Sequence, residues 1–287
     1  MADAKISSFA SHGTPVGEDY VASVLASGPT SKRLLLSDIR DYTNMLYSAS
    51  SADANIALAI NTLHVVDISG YTADRTATLP AVAAVGDRVG LALSVGDTAF
   101  ELLITATAGD TLNGIAGGTE WSRVFITGEV VIMRCTVANT TWIVEYDGRI
   151  PCRVYFQNSG ISLTQNTVMY PDWTATIDTG AQYFNTTKDC ASIRRAGLYH
   201  CISEGVSQVM SASGKALYAR VVTDPNGTPV VARELRVHSS FAERLGSIAA
   251  VKLSLAVDAT VTAAFFCTDT AGTSSVLSLE MSEELAP

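Results

Sequence analysis

From about residue 60 to the C-terminus the chain is written in short apolar stretches separated by Gly, Asn, Asp and Pro. In Arg88 to Val95 the apolar positions Val89, Leu91 and Leu93 fall two apart, which puts them on one face of an extended strand. Leu63 to Ile68, Thr76 to Pro80, Phe100 to Thr105, Val124 to Ile126, Glu129 to Val137 and Thr141 to Tyr146 read the same way. A second set begins at Arg153 to Phe156. It continues through Thr174 to Ile177, Cys190 to Ile193, a long strand opened by Gly197-Leu198-Tyr199, then Ala216 to Val222 and Val230 to His238. Ala249 to Leu255, Thr260 to Cys267 and Val276 to Met281 complete it. Asp224-Pro225-Asn226-Gly227 is a strong turn signal. No intervening segment is long and periodic enough to be a crossover helix, so the pattern predicts an all-β protein of sandwiches or prisms rather than a parallel sheet.

The first part of the chain differs. Up to about residue 48, apolar clusters at Ile6, Phe9, Val16 and Tyr20 to Leu25 are divided by Gly13, Pro15, Gly28 and Pro29. Ser37 is a good N-cap, Asp38 suits the positive end of a helix, and Ile39, Tyr42, Met45 and Leu46 give one apolar face. A helix of about two turns is therefore expected here. This segment is too small to enclose a core and is expected to dock, with Leu35, Ile39, Tyr42 and Leu46 as its anchoring side chains. Three regions follow: an attachment segment over 1–48, a β-rich sandwich or prism over 49–149, and an eight-or-more-stranded jelly roll over 150–287.

Composition narrows the function classes. Apolar residues make up 47% of the 287-residue chain and charged residues only 16%, a low charge fraction for a soluble monomer. Copies of the chain or a partner are expected to cover part of the surface. The apolar runs are too short for a spanning helix, so no membrane insertion is expected. The net charge of −9 and the absence of a basic stripe argue against nucleic acid. The five cysteines, at 135, 152, 190, 201 and 267, have no C-x-x-C spacing and read as reduced, buried thiols. The N-terminus lacks the pattern of a secretory signal.

Two resemblances add to this reading. ATLPAVAAVGDRVGLAL, AGDTLNG and ITGEVVIMRCTVANTTWIVEYDG are similar to a small β-domain of tail fibres and related appendages of tailed bacteriophages. The matching positions are Thr76, Leu79, Pro80, Gly86, Asp87, Asp110, Gly114, Asn139 and Trp142. The opening LLLSDIRDYTNML also resembles the virion-attachment leader ahead of such domains. In the third region, a Tyr183-Phe184 turn, a short strand and Gly197-Leu198-Tyr199 opening the next strand resemble the C1q and tumour-necrosis-factor family of trimeric jelly rolls. Val257-Asp258-Ala259-Thr260-Val261 fills the place of that family's late D-x-V strand, while Val276-Leu277 replaces its usual Phe. The resemblance implies a homotrimer whose core or interface includes Tyr199, Phe265, Trp173 and Phe184.

No catalytic constellation stands out. Four histidines (12, 64, 200, 238) are available as bases, but no nucleophile elbow accompanies them. A metal held by Cys190, His200 and Cys201 is disfavoured, because adjacent strand residues point to opposite faces. No catalytic, cofactor or metal residue is assigned, and a satisfied core or interface role is expected for each. The chain reads as a structural virion protein of a tailed phage, assembled in the bacterial host cytoplasm: a homotrimeric fibre or spike-like appendage. It would be anchored to other virion proteins through residues 1–48, and its distal end would be open to a host-surface glycan or protein. A head fibre or decoration protein is the alternative. A polysaccharide-degrading spike is more remote, since such enzymes carry a long parallel β-helix with paired carboxylates and no solenoid repeat is visible here.

Overall fold

In the computed structural model, described over residues 45–159, 162–181, 183–184, 189–209, 213–238, 244–269 and 272–285, every regular element is a β-strand. The chain divides into two compact units at Arg149/Ile150. Of the expected N-terminal helix, Leu35, Ile39 and Tyr42 lie outside the described residues. Leu46 is corrected: it opens β1 (Leu46–Ser50), a strand. Its amide is already bonded to Asn61 O (2.7 Å), and Leu46 through Ser50 pair residue by residue with 62–66. Strand pairing therefore takes the end of the amphipathic pattern.

The first unit opens as a coil. The strands β1, β2 (Ile56–Ala57), β3 (Thr62–Asp67), β4 (Arg75–Thr78), β5 (Arg88–Val95) and β6 (Leu102–Thr105) alternate between two sheets. Within each sheet they pair in parallel, β1 to β3 to β5 and β2 to β4 to β6. The expectation against parallel pairing is thus overturned. Parallel strands need a crossover, and here the crossover is a strand of the facing sheet instead of a helix. Equivalent positions stack: Ser50, Val66 and Leu93 in one sheet, Ile56, Ala77 and Ile104 in the other. Val66, Leu91, Leu93, Leu102 and Ile104 are buried, each contributing about 1.5–3 kcal/mol by leaving water.

The rest of the unit is mainly antiparallel, with 111–112 pairing in parallel to 141–142, and closes the coil. The hairpin β7 (Thr111–Leu112) and β8 (Ile115–Ala116) turns on Asn113-Gly114, both at positive φ (47° and 80°), a two-residue loop that favours Asn-Gly. β9 (Glu120–Val124) joins β6, and β10 (Val130–Val137) pairs with both β5 and β11 (Thr141–Gly148). The positions that carry the appendage-like motif hold this end together. Leu79 is buried and donates its amide to Thr105 O; Trp142 is fully buried. Asp87 Oδ2 accepts from Ala84 N (2.7 Å), and Asn139 Oδ1 accepts from Ala83 N (2.9 Å).

The second unit is a two-sheet antiparallel sandwich. Its strands are β12 (Arg153–Asn158), β13 (Ser162–Leu163), β14 (Val168–Met169), β15 (Thr174–Thr179), β16 (Tyr183–Phe184) and β17 (Cys190–Ser192). They continue with β18 (Gly197–Val209), β19 (Ala216–Thr223), β20 (Val230–His238), β21 (Arg244–Leu255), β22 (Thr260–Cys267) and β23 (Gly272–Glu284). One sheet runs β15-β12-β23-β18-β21 and the other β16-β17-β22-β19-β20. First and last strands, β12 and β23, are neighbours. Apart from the hairpins β16-β17 and β19-β20, the later chain crosses between the sheets at each step (β17 to β18, β18 to β19, β20 to β21, β21 to β22, β22 to β23), which is the jelly-roll arrangement. Between the sheets, Trp173 stacks on Phe156 (6.1 Å) and meets Phe265 edge-on (6.4 Å). A Cβ on Gly205 would lie 2.7 Å from Phe265 Cε1, so the ring occupies the space that glycine leaves.

Candidate assembly face

The long strand β18 has apolar residues on both of its faces. Tyr199, Cys201, Ser203 and Gly205 point into the sandwich and are buried, whereas Leu198, His200, Ile202, Glu204 and Val206 point outward. Strand register extends this outward set into a row across the sheet, Ile177, Tyr155, Glu280, Ile202 and Ala250. Ile248, Ile177 and Leu198 are exposed to 51%, 43% and 36%. A shallow depression of about 260 Å³ opens on the same face, lined by Arg153, Val154, Tyr155, Ile177 and Glu280.

Charges lie among and beside these apolar side chains. Arg153 reaches Glu280 (3.4 Å), and Glu284 Oε2 lies between Lys252 Nζ (2.9 Å) and His200 Nε2 (3.3 Å). The Lys252 contact, with His200 adding to it, holds the Glu284 carboxyl below its ordinary range. Glu280 stands inside the apolar row and is paired to Arg153; apolar contacts interspersed with paired polar groups are ordinary in protein interfaces.

The residues singled out from the sequence lie elsewhere. Tyr199 and Phe265 are fully buried inside the sandwich and Trp173 nearly so. Tyr199 Oη donates to Arg195 O (2.7 Å), and Trp173 Nε1 donates to Thr262 Oγ1 (3.0 Å). Phe184 belongs to β16, but its side chain lies outside the described residues. Sequence reasoning missed Tyr155, Ile177, Ile202 and Ile248. The available signal was β18 itself, since a strand with apolar residues at both parities has two faces to cover.

Among the described residues, Cys190, His200 and Cys201 are not brought together. Cys201 faces inward and burial pushes its thiol up to about 12, while the adjacent His200 faces outward; Cys190 is in the other sheet. The His238 side chain lies outside the described residues. Among the described residues no group of three His, Cys, Asp or Glu side chains is placed to hold a metal ion. In the first unit, Glu101, Glu120 and Asp74 converge on Arg123 at 2.6, 2.7 and 3.8 Å. Although burial opposes the charge, Glu120 and Glu101 raise the Arg123 pKa, and an ion-paired cluster of this kind is not a free acid and base pair.

No family model and no curated protein matches the chain. Among solved structures, the chain is similar over about half its length to the globular domain of a zebrafish complement 1qA protein. That match has 11% identity and a TM-score of 0.34, over 47% of this chain and 98% of that one. Murine APRIL is similar at 12% identity and a TM-score of 0.36, over 47% and 100%. The Eiger TNF of S. frugiperda is similar at 10% identity and a TM-score of 0.37, over 48% and 96%. The jelly roll rests on the strand order described above.

Proposed function

We propose that the protein is a homotrimeric structural component of a tailed-phage virion, a fibre or appendage without enzymatic activity. Residues 1–48 would hold it to other virion proteins, and the second unit would be available to the host surface. The observation that carries the self-assembly is the outward face of β15-β12-β23-β18-β21, where Tyr155, Ile177, Ile202 and Ile248 stand together on a chain of low charge. Three copies closed about an axis would cover that face without leaving it open to further growth. The virion role is supported by the appendage-like motif, whose residues close one end of the first unit.

Sedimentation of the full chain tests the assembly. A stable species of three chain masses is expected, and Ile248→Asp should shift it toward monomer by burying an unpaired charge. A wild-type monomer at micromolar concentration sinks the reading. Antibody labelling of particles that encode the chain then tests location: label on the tail supports the appendage, label on the head replaces it with a decoration role, and unlabelled particles refute both.

A further inference from the structure

The opposite sheet carries a different surface. Val168, Phe266, Tyr218 and Arg236 lie directly across from one another on β14, β22, β19 and β20. Tyr218 and Phe266 meet edge to face at 5.1 Å and 84°. The Arg236 guanidinium sits over the Tyr218 ring at 4.9 Å. One register step along, Arg220 approaches both rings (5.7 Å and 5.5 Å), and its charge is taken up by Glu234. Arg236 has no such carboxylate: among the described residues it makes no ion pair. An exposed cation over an aromatic ring, in a chain of net charge −9, has its charge left to be matched from outside.

We infer that this strip is a binding site for an acidic saccharide. A cation–π contact takes up none of the guanidinium's N–H donors in hydrogen bonds to the ring's own polar atoms, and a guanidinium edge matches a carboxylate through two parallel hydrogen bonds. Beside it, the partly buried rings of Tyr218 and Phe266 and the 39%-exposed Val168 continue the row as an apolar surface. The four strands span about 14 Å, from inter-strand spacings of about 4.8 Å, which accommodates a short oligosaccharide. A pyranose ring bearing a carboxylate offers both features that the strip matches, an apolar C–H face and a planar anion. An acidic peptide is a poorer fit. Where the row crosses them, these strands are already paired with one another, so an added strand finds no open backbone edge at its centre. The inference rests on the adhesive part of the reading above and supplies its ligand class.

The test is calorimetric titration of the purified full chain with a galacturonic acid trisaccharide, with a galactose trisaccharide as the neutral comparison. The acidic sugar is expected to bind at least about tenfold more tightly, the scale of a charge-assisted hydrogen-bonded pair. Arg236→Gln should remove that preference. Arg236→Lys, which keeps the charge and loses the fork, should retain only part of it, and Tyr218→Ala should weaken both sugars. Arg134→Gln, an arginine of the first unit, should leave binding unchanged. Absence of binding into the millimolar range overturns the inference, as does equal affinity for the two sugars or full affinity in Arg236→Gln. A glutamate pentapeptide binding as tightly as the uronide also overturns it, in favour of a protein ligand. Because the titration needs neither a trimer nor a particle, failure here is separable from failure of the sedimentation test.

Discussion

Removing one partner of the Arg195–Glu283 pair is the most decisive perturbation of the second unit. The two side chains are 1% and 2% exposed and 3.0 Å apart. Glu283 Oε2 also accepts from Cys152 N (3.0 Å), and Arg195 Nη1 also donates to Ile150 O (3.2 Å). The pair thereby ties the end of β23 to the segment leading into β12 and to the turn before β18. Arg195→Met leaves the Glu283 carboxylate buried without its cation, a change that costs about 3–5 kcal/mol. Against a domain stability of about 5–15 kcal/mol, that is a large share. Replacing both residues, as Arg195→Met with Glu283→Leu, removes the stranded charge and should recover part of the loss, the remainder reflecting the Cys152 amide and Ile150 carbonyl that lose these partners. The backbone bond from Tyr199 Oη to Arg195 O is untouched in either variant.

Urea unfolding at one fixed protein concentration provides the measurement, since association would otherwise shift the midpoints. Trp173 is the only tryptophan beyond residue 149, and it stacks on Phe156 in the core of this unit. In a Trp121→Phe, Trp142→Phe background its fluorescence reports the second unit alone. An Arg195→Met cost below about 1 kcal/mol, the level of an exposed pair, would refute the reasoning. So would a double variant no more stable than the single one.

Two further predictions concern the first coil and the sandwich core. His64 Nε2 accepts the Ala59 amide (2.8 Å), so the ring is neutral there, and burial pushes its pKa down. With the folded pKa below the unfolded value of 6.5, this contribution is complete above about pH 6.5 and is lost as pH falls through the folded pKa. The melting temperature of wild type should therefore fall more steeply than that of His64→Gln as pH drops below about 6.5, and parallel curves would exclude the assignment. Gly205→Ala should cost about 1–3 kcal/mol by crowding Phe265, with Phe265→Leu in the same chain recovering part of it; a neutral Gly205→Ala would show that the ring has room to move.

The strands were largely legible because the side-chain period is two and the breaks carry turn chemistry. Arg88–Val95, Val230–His238 and Thr260–Cys267 were read from the sequence to the residue. Which strand pairs with which was not legible in the first unit. In a coil, the neighbours of β3 are β1 and β5, each reached through a strand of the other sheet, so no hairpin turn marks the pairing. A sign was nevertheless present: Leu63, Val65 and Val66 are apolar, and Thr62 through Val66 are all buried, as a parallel strand covered on both faces requires. The same physics explains the site residues. Aromatic size drew the sequence reading to Tyr199, Trp173 and Phe265, but large rings go where most area leaves water, and in a sandwich that is between its own two sheets. An assembly face has to be held by side chains that the single chain leaves uncovered, so it is found in the outward parity of β18 and its neighbours. Parity becomes interpretable only once the inward set is known, and a strand that is apolar at both parities is where the two have to be told apart.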